Sequence, residues 1–305
     1  MPRKKSFFAN LWTITKATAK QWIKADPFRQ SAVVAYYAVF SIPALLVIII
    51  AIAGLVFGEE AVRGEISGQI QRALGHDTAE SIEGIIVKAS EEKTSVLATI
   101  IGIVTLIVGS TGVFTELQTS LNNIWEVEVV AKKKWLRTIK TKLFSFGLVL
   151  SLGFLMLVSL LLTTGLEALG EMIKHRFHDF LPFLLKIVGF LLSFGVITVL
   201  FALIFKILPD AKIRLRDMWV GAMVTTLLFI LGKYALGVYF AKANPGSAYG
   251  AAGSVVLIML WVSYSCMILF FGAEFTKQYS VFHGHEVQPL REARLVEQPD
   301  PKAIK

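Results

Sequence analysis

Long apolar stretches and short polar connections follow each other along most of the chain. A helix that crosses the hydrocarbon core of a bilayer needs about 20 consecutive apolar residues. Six stretches reach that length: 31–57, 94–115, 143–166, 183–205, 218–240 and 249–273. Polar and apolar residues do not alternate within them, as they would in the shorter strands of a membrane barrel. The pattern predicts an all-α protein with six transmembrane helices.

Two polar segments also have helical periodicity. Residues 6–25 place apolar side chains on one helical face and lysines on the adjoining face: Phe8, Trp12, Ala19 and Ile23, then Lys16, Lys20 and Lys24. A helix of this kind suits the surface of an anionic leaflet. The acidic connection 58–93 repeats apolar residues at helical spacing on both sides of Gly75. We therefore expect amphipathic surface helices in both segments, two of them in the second.

Positive charge falls on alternate connections. The chain contains 31 Lys and Arg against 22 Asp and Glu, a formal net charge of +9. Most of the basic residues lie in 1–30, 117–142, 206–217 and the tail from 276, whereas 58–93, 167–182 and 241–248 contain few. Cytoplasmic connections carry such an excess, so both termini are expected in the cytoplasm. Because topology accounts for the charge, the sequence predicts no nucleic-acid partner.

Composition and charge together divide the chain into three segments. Hydrophobic residues make up 55% of the chain and charged residues 17%, which excludes an ordinary soluble domain. Residues 1–30 form a cytoplasmic N-terminal segment that contains the interfacial helix. Residues 31–275 form the six-helix transmembrane domain, with 58–93 as an extracytoplasmic loop. Residues 276–305 are polar and contain three prolines, which predicts a flexible cytoplasmic tail.

The alternating topology brings polar residues from several parts of the chain to the cytoplasmic level. Asp26 and Arg29 precede the first apolar stretch, Glu116 and Asn122 follow the second, and Glu274 follows the sixth. An ionisable residue in or beside a spanning helix is a functional-site candidate by default. We interpret these five residues as a polar vestibule. A structural network that caps helix ends and fixes packing explains the pattern equally well.

Small residues recur inside two of the apolar stretches. Gly102, Gly109 and Gly112 lie in the second stretch, and a run from Gly250 to Ser254 opens the sixth. Small residues let helix backbones approach closely in lipid, which predicts tight helix contacts at both places. A hinge is the alternative for the second run. A homo-oligomer is compatible with either interpretation.

The sequence contains no motif of a soluble-type active site. It has no P-loop, GxSxG, HExxH or dinucleotide fingerprint. The pairs His175/His178 and His283/His285 lack the further ligands that a metal site needs, and Cys266 is the only cysteine. The sequence therefore predicts no catalytic residue, no metal site and no cofactor.

Three stretches resemble the signature regions of one family. They read DPFRQSAVVAYYAVFSIPALLVI, GVFTELQTSLNNIW and YGAAGSVVLIMLWVSYSCMILFFGAEFTKQY, and they are similar to the YihY/BrkB family of bacterial inner-membrane proteins. The resemblance implies a six-helix, multi-pass protein of the bacterial plasma membrane. Beyond the vestibule residues, the motif positions that match are Tyr36, Tyr37, Ser41, Pro43, Leu121, Trp125, Tyr249, Gly250, Gly253, Gly272 and Phe275. Pro43 removes one backbone hydrogen bond from a helix, so we expect a bend there.

Three functional hypotheses follow. The first is a permease or exporter of a lipid or other amphipathic anion, with anionic headgroups at the cytoplasmic face as partners. The second is a non-transporting membrane scaffold that organises envelope partners through the 58–93 loop. The third is a ribonuclease, which the family's old "ribonuclease BN" label suggests. It has the weakest support, because the sequence has no metal or acid/base constellation, and we expect the protein not to be an enzyme.

Overall fold

A computed structural model describes residues 7–74, 79–80, 83–84, 96–129, 180–243, 245, 249, 252–285, 288–290 and 293–295. These residues are mostly helical, as predicted. The helices are α1 Phe7–Lys24, α2 Pro27–Phe57, α3 Glu59–Leu74, α4 Val96–Ile124, α5 Phe180–Ile207, α6 Leu215–Ala243 and α7 Gly253–Phe282. The strands are β1 Val127–Val129, β2 Ala211–Lys212, β3 Gln288–Pro289 and β4 Ala293–Leu295.

Three of the described helices are long and apolar enough to cross a membrane. Their spans are Ile187–Ile207, Leu215–Phe240 and Gly253–Phe282, at the places of the fourth, fifth and sixth predicted stretches. Helices α2 and α4 are continuous over 31 and 29 residues at the first and second stretches. The third stretch, 143–166, lies outside the described residues. The number of six spanning helices therefore stays a prediction.

The chain divides into two compact units, each described by itself. The first unit comprises Met1–Ser120 and Leu227–Glu274, and the second comprises Leu121–Thr226 and Phe275–Lys305.

Glycines bring the helices of the first unit close together. A Cβ atom at Gly112 would overlap the ring of Tyr37, and one at Gly109 would lie 3.2 Å from Ser41 Cβ. Helix α6 meets α7 in the same way, where a Cβ at Gly232 would overlap the hydroxyl of Tyr264. The predicted role of Gly109 and Gly112 in close helix contact is thus confirmed.

Helix α2 continues through Pro43, with a helical backbone from Pro27 to Phe57, and the bend expected at Pro43 stays a prediction. Proline leaves the carbonyl four residues earlier, that of Val39, without its N–H donor. The Ser41 hydroxyl does not replace this donor, because it donates to the neighbouring carbonyl of Ala38, at 3.3 Å. At the other end of α2, Gly58 adopts a φ of +87°, which separates α2 from α3.

The loop predicted over 58–93 contains one long helix, α3. The second helix expected there falls largely outside the described residues, although 79–80 and 83–84 are helical. A hydrogen bond of 2.9 Å from the Ser67 hydroxyl to Glu83 connects the two parts of this segment.

Two small antiparallel sheets organise the second unit. Strand β1 pairs with β4, so that Val127 faces Leu295 and Glu128 faces Arg294. Strand β2 pairs with β3, so that Ala211 faces Pro289. In the segment from residue 276 onwards, α7 continues to Phe282, and two short stretches pair with the connections after α4 and α5. The flexibility expected for 276–305 stays a prediction.

Candidate functional site

Two contacts fix the direction of α7 beside α1 and α2 in the first unit. The Trp22 ring lies 5.8 Å from the Phe271 ring, edge to face, and the Ser31 hydroxyl lies 3.1 Å from the Ser263 hydroxyl. As the chain advances from Trp22 to Ser31, its partner residues run backwards along α7. Glu274, one turn beyond Phe271, therefore lies toward the same end of the unit as Asp26.

Helices α2 and α4 are also antiparallel, because Gly112 meets Tyr37 and Gly109 meets Ser41. Glu116 and Ser120 lie one and two turns beyond Gly112, toward the start of α2. Four of the five predicted vestibule residues thus lie toward one end of the first unit. We call this end the polar end and define it by Trp22, Asp26, Arg29, Gln30, Glu116, Ser120 and Glu274.

The charged residues at the polar end differ in burial. Asp26 and Arg29 form an ion pair of 2.9 Å, with side chains that are 54% and 70% exposed. Asp26 also adopts a left-handed conformation, with φ 52° and ψ 58°, in the two-residue connection between α1 and α2. Glu274, by contrast, is only 2% exposed. Asp26 therefore shapes the chain at this end, and Glu274 is the buried acid.

Three buried polar atoms at the polar end have no hydrogen-bond partner among the described residues. They are Trp22 Nε1, Gln30 Oε1 and Ser120 Oγ. The amide nitrogen of Gln30 is engaged, since it donates to the carbonyl of Ala25 at 2.8 Å. Buried polar atoms in proteins nearly always have a partner. These atoms therefore offer two donors and one acceptor to a bound polar group.

Asn122 belongs to the second unit and is held there by Asp210. Its amide nitrogen donates to Asp210 Oδ2, and its amide oxygen accepts from the Asp210 backbone N–H, both at 2.8 Å. Asn122 is 8% exposed. This geometry fastens the end of α4 to the connection between α5 and α6. The interpretation of Asn122 as part of a five-residue vestibule stays a prediction.

Sequence reasoning missed a second buried acid, Asp217. Its side chain is 1% exposed, and its Oδ2 lies 2.8 Å from His285 Nδ1. The other ring nitrogen of His285 contacts the guanidinium of Arg214. Asp217 Oδ1 has no partner among the described residues. The sequence does show an acid in the first turn of α6, where the helix dipole stabilises a negative charge. No nearby residue indicates that its partner comes from the tail.

Two further ion pairs hold the tail in the second unit. Lys277 lies 2.9 Å from Glu126, and Arg294 lies 3.1 Å from Glu128. Acidic and apolar residues alternate over 126–129, but the basic partners of the two acids come from a distant part of the chain.

Most described family-motif positions have packing roles. Tyr37 and Ser41 pack on the glycines of α4, Trp125 is 1% exposed, and Tyr36 is 55% exposed and contacts the Phe40 ring at 5.2 Å. Gly253 begins α7, Gly272 is buried, and Tyr249 is exposed. Gly250 lies outside the described residues.

A sequence profile for the family described as "Virulence factor BrkB" matches residues 18–294. The chain belongs to the BrkB family. Several curated relatives are similar to this BrkB-family chain, each named "UPF0761 membrane protein". The relative from Tolumonas auensis is 28% identical over 212 residues, 69% of this chain and 66% of the relative. The relative from Alcanivorax borkumensis is 30% identical over 203 residues, which are 65% of this chain and 44% of the relative. The relative from Pseudoalteromonas atlantica is 26% identical over 254 residues, which are 83% of this chain and 81% of the relative.

These comparisons agree with the apolar helices and show that the BrkB-family chain is a membrane protein. The chain covers less than two thirds of the length of the Tolumonas auensis and Alcanivorax borkumensis relatives. No solved structure matches it.

Proposed function

We propose that this BrkB-family protein is a six-helix permease or exporter of the bacterial inner membrane, with both termini in the cytoplasm. Its proposed substrate is a lipid or another amphipathic anion. The observation that supports transport most directly is the group of buried, unpartnered polar atoms at the polar end: Trp22 Nε1, Gln30 Oε1 and Ser120 Oγ.

The chemistry of these atoms suits a headgroup that combines phosphate oxygens with hydroxyl groups. The indole N–H of Trp22 and the hydroxyl of Ser120 can donate to phosphate oxygens, and the amide oxygen of Gln30 can accept from a headgroup hydroxyl. The exposed guanidinium of Arg29 binds Asp26 through Nε, and its terminal amino groups can also donate to phosphate. A polar headgroup would thereby find partners toward one end of the first unit, while its acyl chains stay in lipid.

Neighbouring residues on α4 allow a matched test. Ser120 is buried with a free hydroxyl, whereas Thr119 is exposed and its hydroxyl donates to its own helix, to the carbonyl of Thr115 at 2.8 Å. We expect Ser120→Ala to reduce transport of fluorescent phosphatidylglycerol in proteoliposomes and to reduce the lipid retained by the purified protein. Thr119→Ala should leave both quantities at the wild-type level.

A second pair of variants tests the acids. We expect Glu116→Gln/Glu274→Gln to change which lipid class mass spectrometry finds on the purified, folded protein. If retention and transport are unchanged in this variant and in Ser120→Ala, the permease proposal fails. A larger effect on the cell envelope from deleting 59–92 than from Glu274→Gln would then favour the scaffold hypothesis.

A further inference from the structure

Helix α1 has three distinct faces. One face packs against the protein, where Ile14 and Thr18 are 4% and 0% exposed. The Thr18 hydroxyl donates to the carbonyl of Ile14 at 2.9 Å, so it is satisfied within the helix itself. The other two faces are directed away from the protein.

The first outward face is apolar. At about 100° per residue, Trp12, Ala19 and Ile23 fall within a narrow sector of the helix. Trp12 is 72% exposed and Ile23 is 65% exposed. Large apolar side chains on a surface helix are unfavourable in water and mark a contact with another apolar phase.

The second outward face is basic and adjoins the first. Lys16, Lys20 and Lys24 are all exposed, and their spacing of four residues places them in one stripe. An apolar sector beside a lysine stripe matches the boundary between acyl chains and anionic headgroups, where tryptophan and lysine are both favourable.

The connection to α2 holds α1 at the membrane. Only Ala25 and Asp26 separate the two helices, and the Ala25 carbonyl accepts from the Gln30 side chain at 2.8 Å. The left-handed backbone of Asp26 sets the change in direction. Since α2 continues as the first predicted spanning stretch, the end of α1 at Lys24 lies close to where the chain is expected to enter the bilayer.

We propose that the outer faces of α1 form a docking surface for an anionic lipid bilayer. Trp12 and Ile23 enter the acyl boundary, and the three lysines bind the anionic headgroups above it. This inference does not depend on transport: it holds for a permease and for a scaffold alike. Helix α1 would also connect lipid charge to the polar end through the contact of Trp22 with Phe271, at 5.8 Å.

The test uses the full chain with Cys266→Ala, reconstituted into vesicles that contain a spin-labelled quencher near the headgroups. A fluorescent label is attached through Ala19→Cys on the apolar sector or Gln21→Cys, an exposed position about 200° away around the helix. In vesicles of phosphatidylcholine with phosphatidylglycerol we expect strong quenching at position 19 and weak quenching at position 21.

The lysines are tested with Lys16→Gln/Lys20→Gln/Lys24→Gln. Three cations near an anionic surface give a preference of about 100-fold. We therefore expect the phosphatidylglycerol fraction needed for half-maximal quenching to rise several-fold, or half-maximal quenching not to be reached even in pure phosphatidylglycerol. A control with the same loss of charge, Lys206→Gln/Lys212→Gln/Lys242→Gln, changes three other exposed lysines and should keep the wild-type response. Salt at 1 M, where the screening length is about 3 Å, should reproduce the effect of the first variant.

Several results would overturn the proposal. Equal quenching at positions 19 and 21 would mean that the apolar sector does not enter the bilayer. An identical response in pure phosphatidylcholine, or an unchanged response in the α1 lysine variant, would mean that the lysines do not bind anionic lipid. Loss of RNA binding in that variant, with unchanged quenching, would assign the stripe to nucleic acid instead. All four failures leave the Ser120→Ala transport result, and hence the permease proposal, unaffected.

Discussion

The imidazole of His285 lies 2.8 Å from the buried carboxylate of Asp217, although 68 residues separate them in the chain. One partner belongs to the tail and the other to the first turn of α6, so this contact ties the tail to a helix end. Removing the imidazole leaves a buried carboxylate with one partner fewer, which costs about 1–3 kcal/mol. We expect His285→Ala to lower the apparent Tm of the purified protein.

The neighbouring histidine provides the control for this prediction. His283 is exposed and its Nδ1 contacts the backbone carbonyl of Tyr279 at 2.8 Å. His283→Ala should therefore change the apparent Tm much less than His285→Ala. Equal effects of the two substitutions would mean that the Asp217 contact contributes little to stability.

Asn122 should behave as a structural residue. Asn122→Ala removes two hydrogen bonds to Asp210, one of them to a carboxylate, for which we expect a loss of about 2–4 kcal/mol. The adjacent Asn123 is exposed, so Asn123→Ala is the matched control. Thermal unfolding distinguishes them. An Asn122→Ala protein with wild-type stability but altered lipid retention would support the interpretation of Asn122 as a vestibule residue.

The space around a glycine predicts opposite outcomes for substitutions at two positions. Gly112→Ala places a methyl group into the Tyr37 ring, and such overpacking costs about 1–3 kcal/mol. Gly195 is in α5 with nothing within 4 Å of an added Cβ, so Gly195→Ala should be neutral or slightly stabilising. Apparent Tm values of both variants provide the measurement. A Gly112→Ala protein as stable as Gly195→Ala would argue against the α2–α4 contact.

The register of β1 and β4 can be tested by disulfide formation. Glu128 and Arg294 are directly opposite each other, and opposite residues of antiparallel strands have Cα atoms about 4.5–5.5 Å apart, within the range for a disulfide. With Cys266→Ala as background, Glu128→Cys/Arg294→Cys should crosslink on mild oxidation and change mobility on a non-reducing gel. Glu126→Cys/Arg294→Cys is out of register and should crosslink poorly. Comparable yields would contradict the pairing.

The helices follow directly from the sequence because each apolar stretch is much longer than one strand and has its own local signal. The ion pair of Asp26 and Arg29, three residues apart at a helix start, is readable for the same reason. The strands are not, since two or three residues such as Ala211 and Lys212 carry no distinctive pattern. Their pairing depends on tertiary contacts.

The sequence predicts at which end of the helices the candidate residues lie, but not which residues they contact. Alternating topology predicts Asp26, Glu116 and Glu274 toward one end, and the helix contacts of the first unit have the same direction; the vestibule itself stays a prediction. The partner of Asn122 is fixed by the course of the 208–214 connection, which charge and hydropathy do not specify. The unpartnered atoms of Trp22 and Gln30 depend on side-chain burial, which only three-dimensional packing determines.

The pairing of Glu128 with Arg294 also sets an order of events during synthesis. Strand β4 follows β1 by 166 residues, so at about 5–20 residues per second the ribosome needs roughly 8–33 s to produce the partner. Until then, β1 has no partner strand, and its backbone N–H and C=O groups lack the hydrogen bonds that β4 later provides. A nascent chain that stalls before Ala293 would thus expose this connection to proteases or chaperones, even though its apolar helices had already been inserted.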